Sequence, residues 1–136
     1  NVGAMFRSAA AFGVRAVILQ DRKSPPLTGA LAKAAVGAID AVAHARVVNI
    51  ARTIEQLGEE GYCSVGLAGG AALPAREALR DPRPIALVIG AEDKGLRPLV
   101  AERCERLAFI PMAPVMESLN AATAAAIALY EIAQRG

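Results

Sequence analysis

The feature that most constrains the fold is a run of apolar residues that leads directly into a glycine-rich loop. Ile85 to Ile89 is apolar throughout, and Gly90-Ala91-Glu92-Asp93-Lys94-Gly95 follows it without a break. A strand with no polar alternation is typical of a parallel sheet that helices cover on both faces. We therefore expect residues 85–89 to form a strand buried on both faces, with the loop at its carboxyl end.

Helical and strand-like segments alternate along the rest of the chain. The predicted helices cover residues 2–12, 33–37, 50–60, 74–79, 98–104 and 119–134, and the other predicted strands or extended segments cover residues 14–19, 41–48, 63–68 and 107–110. Gly13 and Gly61 follow helical segments and are predicted helix stops. This alternation predicts an α/β fold with a parallel sheet flanked by helices.

Size and composition favour one domain. The chain has 136 residues, of which 54% are hydrophobic and 21% charged, enough to bury a sizeable core. No apolar run reaches the roughly 18 residues that a membrane span requires. The chain begins at Asn1 rather than Met, and we expect a further segment upstream. Cys63 and Cys104 are interpreted as small buried residues of a reduced, cytoplasmic protein, and a disulfide between them is the less favoured alternative.

Charge is unevenly distributed along the chain. Residues 1–54 carry a balance of +5, whereas residues 55–136 carry −3. A basic half favours a polyanionic partner, although surface charge often serves only solvation.

Three polar motifs lie next to predicted strand or helix ends. They are Asn1-x-Gly3-x-x-x-Arg7, then Gly90-x-Glu92 with Gly95, and finally Ile110-Pro111-Met112 followed by Ser118-Leu119-Asn120. Ligands of open α/β sheets bind beyond the carboxyl ends of the strands, where the second and third motifs are predicted to lie. Each motif also has an ordinary interpretation: a solvated arginine, a strand-to-helix turn, and a helix cap.

Taken together, the three motifs resemble those of the SpoU (TrmH-like) family of SPOUT RNA 2′-O-methyltransferases, in the family's order and over nearly the whole chain. Residues 49–57 are most similar to the bacterial 23S rRNA guanosine-2′-O-methyltransferase branch. The sequence departs from the family at Pro114, where many relatives have Gly, and at Ala121-Ala122, where Val-Ser is usual. The strand that precedes the first motif in the family and the upstream RNA-binding domain of the rRNA enzymes are also absent.

The resemblance implies a catalytic domain over residues 1–136 with a C-terminal trefoil knot, formed by roughly residue 85 to the last helix. It implies S-adenosyl-L-methionine as cofactor, an RNA substrate (rRNA favoured), a homodimer through the last helix, and no metal. The implied cofactor-binding residues are Leu67, Gly90, Ile110, Met112 and Leu119, and the implied catalytic residues are Arg7, Asn1, Glu92, Ser118 and Asn120.

Two other functions remain open at this stage, a tRNA 2′-O-methyltransferase and a non-catalytic RNA-binding module of the same fold. A dinucleotide dehydrogenase fits poorly, because no Gly-x-Gly-x-x-Gly follows a strand. His44 lies outside the three motifs and is interpreted as a structural or surface residue. Cys63 and Cys104 have no base near them in the sequence, which makes a cysteine nucleophile improbable.

Overall fold

The computed structural model describes residues 2–20, 42–91, 94–113 and 120–135. The chain divides into two compact units, residues 1–50 and 51–136. The predicted helix 33–37 lies outside the described residues, and so does Pro114.

The first unit contains helix α1 (Val2–Ala11) and strands β1 (Ala16–Gln20) and β2 (Ala43–Val47). The two strands are parallel, with Ala16 opposite Ala43. Helix α1 buries Gly3, Phe6 and Ala9, which recur every three residues on one face. Gly13 then adopts φ of 69°, the left-handed conformation typical of a helix stop.

The second unit is built on a four-stranded sheet. Its elements are α2 (Ile50–Glu59, which begins at the unit boundary), β3 (Cys63–Leu67), β4 (Leu73–Pro74), α3 (Ala75–Ala78), β5 (Ile85–Val88), α4 (Pro98–Arg103), β6 (Arg106–Phe109) and α5 (Ala121–Gln134). The strand order is β4-β6-β3-β5, and every pairing is parallel. This confirms the predicted parallel α/β sheet, whereas the two-residue strand β4 was not predicted.

Strand β3 is the buried centre of the four-stranded sheet. Its side chains alternate, so that Cys63 and Val65 face a core with Ala75, Ala78, Leu79, Ala108 and Ala128. Gly66 lies on the opposite face, where a β-carbon would contact Cys104. The two cysteines are therefore buried on opposite faces of β3 and both are free thiols, as expected from the sequence.

Two apolar strands are less buried than the sequence predicted. All four residues of β5 are only half-buried, and β5 pairs with β3 alone among the described strands. In β1, Ile18 is 37% exposed. The prediction that residues 85–89 are buried on both faces was therefore wrong, because an apolar run does not indicate whether a strand lies at the centre or the edge of its sheet.

An ion-pair network lies at the amino ends of the strands. The carboxylate of Asp81, only 8% exposed, accepts hydrogen bonds from Arg83 Nε at 2.9 Å and Arg106 Nη2 at 2.9 Å. The Arg83 guanidinium also pairs with Glu105, and it holds the pKa of both carboxyl groups below their usual range. Arg135 donates to the carbonyl oxygens of Asp81 and Arg83, which fastens the end of α5 to this edge of the sheet.

No helix among the described residues is long and apolar enough to span a membrane.

Candidate functional site

The carboxyl ends of three neighbouring strands meet at one edge of the four-stranded sheet. Parallel pairing places Gly66 of β3 beside Val88 of β5 and beside Leu107 of β6. Just beyond β3, the Ala68 N–H donates to Ala108 O at 2.8 Å, and this bond holds the end of β3 against β6. The segments that leave these strands are therefore neighbours, and this is the edge at which parallel α/β proteins bind ligands.

The loop that leaves β5 is closed at its base by a short stem of backbone, formed by Gly90, Ala91, Gly95 and Leu96. The Ala91 N–H donates to Gly95 O at 3.2 Å, and the Gly95 N–H donates to Ala91 O at 2.8 Å. Gly90 packs so tightly on the other side of the stem that a β-carbon there would lie 2.5 Å from Gly95 O, and closer still to Gly95 C and Leu96 N. Only glycine fits this position without displacing backbone.

Apolar side chains from the other two strands lie at the same edge. Leu67, the last residue of β3, and Ile110, which follows β6, are half-buried and both pack on the core of this unit. Met112, two residues further along, is 38% exposed. Half-buried apolar surface beside loop backbone is typical of sites for small molecules and cofactors.

The third motif ends at helix α5, and Asn120 is its N-cap. The Asn120 Oδ1 accepts a hydrogen bond from the Thr123 N–H at 2.8 Å, and its φ of −65° and ψ of 158° are those of a capping residue. The ordinary interpretation of Asn120 as a helix cap is therefore confirmed. This bond employs the amide oxygen of Asn120 and not its amide nitrogen.

Arg7 belongs to the first unit and is exposed on α1. The buried face of that helix, Gly3, Phe6 and Ala9, is turned toward its own core, so Arg7 lies on the solvent side. The other predicted site residues, Asn1, Glu92, Ser118 and Leu119, lie outside the described residues. The structure thus places Leu67, Gly90 and Ile110 at the ends of neighbouring strands, with Met112 two residues beyond Ile110.

The surroundings of His44, Cys63 and Cys104 do not favour a catalytic role for these residues. His44 is exposed and makes an edge-on contact with the Phe6 ring, with centroids 5.6 Å apart, in agreement with its interpretation as a structural or surface residue. Burial raises the pKa of the Cys104 thiol to about 11 and that of Cys63 above its usual value, so neither thiol is an activated nucleophile. Among residues 2–20, 42–91, 94–113 and 120–135, no group of His, Cys, Asp and Glu is arranged to hold a metal ion.

One pair of residues at this edge, Gly66 and Leu96, was not predicted from the sequence. A β-carbon at Gly66 would lie 2.8 Å from Leu96 Cδ1, so the stem of the β5 loop rests directly on β3. The available signal was a glycine inside an apolar strand, which often marks close approach of another segment. The sequence alone did not identify that segment.

A parallel sheet with a glycine stem and apolar residues at its carboxyl ends is the arrangement of α/β proteins, a class whose ligand sites generally lie at the strand ends. Residues 1–130 match the model of the SpoU rRNA Methylase family, and the chain belongs to this family.

Relatives support the same assignment. The chain is 44% identical over 131 residues to the 23S rRNA (guanosine-2′-O-)-methyltransferase RlmB of Vibrio vulnificus, an alignment that covers 96% of this chain and 53% of that protein. It is 43% identical over 138 residues to the "uncharacterized tRNA/rRNA methyltransferase slr0955" of Synechocystis, covering 100% of this chain and 35% of that protein. The chain thus spans about half, or less, of the length of these relatives.

Solved structures share the fold. The AdoMet-bound rRNA methyltransferase from Sinorhizobium meliloti superposes with a TM-score of 0.87 at 30% identity, over 98% of this chain and 50% of that one. The parallel α/β architecture is therefore the architecture of the family.

Proposed function

We propose that this chain is the catalytic domain of an S-adenosyl-L-methionine-dependent RNA 2′-O-ribose methyltransferase that acts on a guanosine of 23S rRNA. The observation that carries the proposal is the site at the carboxyl edge of the sheet. Three residues that the family resemblance assigns to the cofactor, Leu67, Gly90 and Ile110, lie there at the ends of adjacent strands. Similarity to RlmB across 96% of the chain supports the same reaction and substrate.

The residues at this edge fit such a cofactor. Leu67, Ile110 and Met112 offer apolar surface to an adenine ring, and the stem at Gly90 offers backbone groups rather than side chains. Leu119 is assigned to the same pocket by the resemblance. S-adenosyl-L-methionine would supply an activated methyl group on a sulfonium, so the protein has mainly to position the ribose 2′-hydroxyl and assist its deprotonation.

Arg7 is the residue we assign to the RNA. A guanidinium stays protonated near neutral pH and is a poor base, but its planar donors can hold a phosphate through two hydrogen bonds. We therefore assign Arg7 to binding the phosphate beside the target ribose and to stabilising negative charge on the attacking oxygen. The family resemblance also assigns Asn1, Glu92, Ser118 and Asn120 to catalysis. Other exposed arginines of the basic half, Arg46 and Arg52, would add affinity for the RNA backbone.

Further features of the family complete the proposal. We include a C-terminal trefoil knot between residue 85 and the last helix, and a cytoplasmic location with the RNA. The chain would be the catalytic part of a longer protein, since it spans about half the length of RlmB.

The first test separates cofactor binding from RNA methylation. Calorimetry with S-adenosylhomocysteine after EDTA treatment should show one site per chain, because no residue of the proposed pocket needs a metal. The full-length protein, supplied with radiolabelled cofactor and 23S rRNA, should then place label in 2′-O-methylguanosine after nuclease digestion. The absence of heat at millimolar ligand would exclude the proposed cofactor site.

The same assay distinguishes the rRNA methyltransferase from a tRNA methyltransferase and from a non-catalytic RNA-binding module. The name of slr0955 includes tRNA as well as rRNA, so total tRNA should be tested beside 23S rRNA. Label in tRNA alone would replace the rRNA assignment with a tRNA methyltransferase. RNA binding without label in either substrate would instead indicate a non-catalytic module.

We also propose a homodimer formed through α5. The helix buries Ala122, Ala125 and Ala128, yet its opposite side exposes Ile127 (38%) and Tyr130 (50%). Large apolar side chains on a helix that already has a buried face favour a second packing surface. The family resemblance implies a homodimer through the last helix, and we assign this exposed side of α5 to its interface.

Sedimentation should reveal twice the chain mass at micromolar concentration, since obligate interfaces commonly bury more than about 2,000 Å². Ile127→Glu should shift the protein to monomer, because it places a charge in the proposed interface. The matched control is Leu99→Glu, which changes a residue that is 48% exposed on α4 and should leave the dimer intact. A wild-type protein that sediments as a monomer would contradict this proposal.

A further inference from the structure

The contact between Gly66 and Leu96 joins two walls of the proposed pocket. Gly66 is buried in β3, directly before Leu67, and Leu96 directly follows Gly95 in the stem of the β5 loop. Leu96 Cδ1 occupies the space that a side chain at position 66 would fill, because a β-carbon there would lie only 2.8 Å away. The missing side chain at Gly66 therefore leaves the space that the Leu96 side chain fills, although the two residues are 30 positions apart in the sequence.

At position 66, the stem meets β3 through Leu96. Its own two hydrogen bonds join Ala91 to Gly95 and do not reach the neighbouring strand. The other atoms that a β-carbon at Gly66 would meet, Cys104 Sγ and Leu107 Cδ2 at 3.0 Å each, belong to the end of α4 and to β6. Among these three neighbours, Leu96 alone lies on the stem.

We propose that Leu96 is a positioning residue for the cofactor: its side chain, seated on Gly66, sets the distance between the end of β3 and the stem of the β5 loop. This inference rests on the proposed function, since the pocket that it positions is the proposed S-adenosyl-L-methionine site. Leu96 acts through Leu67 and Gly90, which flank the contact, and is not assigned a contact with the cofactor.

Gly66→Ala should lower affinity for S-adenosylhomocysteine about tenfold, because overpacking of this kind is relieved by displacing the stem. Leu96→Val removes both δ carbons, so the double variant Gly66→Ala/Leu96→Val should recover affinity to within about threefold of wild type. The matched control is Gly66→Ala/Leu107→Val, which relieves the contact with β6 by the same shortening but leaves Leu96 in place. This control should remain weak.

The experiment uses the full-length protein, with calorimetry for S-adenosylhomocysteine and amide hydrogen exchange by NMR without ligand. Exchange of the Gly95 N–H, which bonds to Ala91 O, should accelerate in Gly66→Ala and return toward wild type only with Leu96→Val. Exchange of the Ala68 N–H, which bonds to β6, should change little in all variants that fold. A purely structural role would instead alter the two amides together.

Several outcomes would overturn the inference. They are wild-type affinity in Gly66→Ala, or rescue by Leu107→Val equal to that by Leu96→Val. Should Gly66→Ala fail to fold, Leu96→Ala removes the same contact without adding an atom, and it must accelerate Gly95 exchange and weaken binding. If the wild-type protein binds no S-adenosylhomocysteine, the proposed function fails. Unchanged exchange of the Gly95 N–H in the variants, by contrast, would reject the positioning role of Leu96, and this result does not depend on ligand binding.

Discussion

Arg7→Ala should reduce single-turnover methyl transfer by about 10²–10³-fold, the usual effect of removing one preorganised electrostatic contact. Affinity for S-adenosylhomocysteine should stay close to wild type, because Arg7 is assigned to the RNA phosphate and not to the cofactor. Arg7→Lys should restore little activity, since an ammonium group cannot reproduce the planar, two-point contact of a guanidinium with a phosphate.

The measurement is methylation of the cognate RNA by the full-length enzyme under saturating cofactor, with calorimetry for each variant. Arg80→Ala is the matched control, because Arg80 is an exposed arginine outside all three motifs. It should methylate at close to the wild-type rate. If Arg7→Ala does the same, Arg7 is a solvated surface charge and the first motif has been misinterpreted.

Gly90→Ala should abolish measurable cofactor binding or weaken it on the order of a hundredfold, the upper range of an overpacking penalty. The added β-carbon would meet the backbone of Gly95 and Leu96, which cannot rotate away as a side chain can. The stem would have to open, and the two hydrogen bonds between Ala91 and Gly95 would be lost with it.

Gly58→Ala serves as the control for this substitution. Gly58 is exposed within α2, where an added β-carbon meets nothing within 4 Å. Alanine there should leave cofactor affinity unchanged and raise the free energy of unfolding by about 0.5–1 kcal/mol, because glycine is the poorer helix former. Wild-type affinity in Gly90→Ala would show that the stem does not shape the site.

The candidate site could be predicted from the sequence only in part. The motif residues identify the segments, and Leu67, Gly90 and Ile110 lie at the ends of adjacent strands at one sheet edge. The catalytic assignments of Asn1, Arg7, Glu92, Ser118 and Asn120 stay predictions. Gly66 and Leu96 could not be predicted as a pair because neither residue is unusual where it stands. Only tertiary packing pairs them, by leaving 2.8 Å between Leu96 Cδ1 and a β-carbon built at position 66.

The sequence by itself determined the local structure, namely the helices, their ends and the type of strand pairing. Apolar residues at helical spacing identified α1 and α2, Gly13 and Gly61 ended them with positive φ, and Asn120 capped α5 through its own amide. These features depend on contacts within a few residues, which a linear pattern records. The alternation of helices with apolar strands was also enough to predict parallel pairing.

The tertiary structure alone decided which segments meet. The strand order β4-β6-β3-β5 places the most apolar run, residues 85–88, at the edge among the described strands, while Cys63–Gly66 takes the buried centre. It also joins Asp81 to Arg106 at the amino edge, 25 positions apart, and Gly66 to Leu96 at the carboxyl edge. Such pairs are chosen by packing and charge across the whole sheet, and no local pattern contains that information, because each residue alone is compatible with many neighbours.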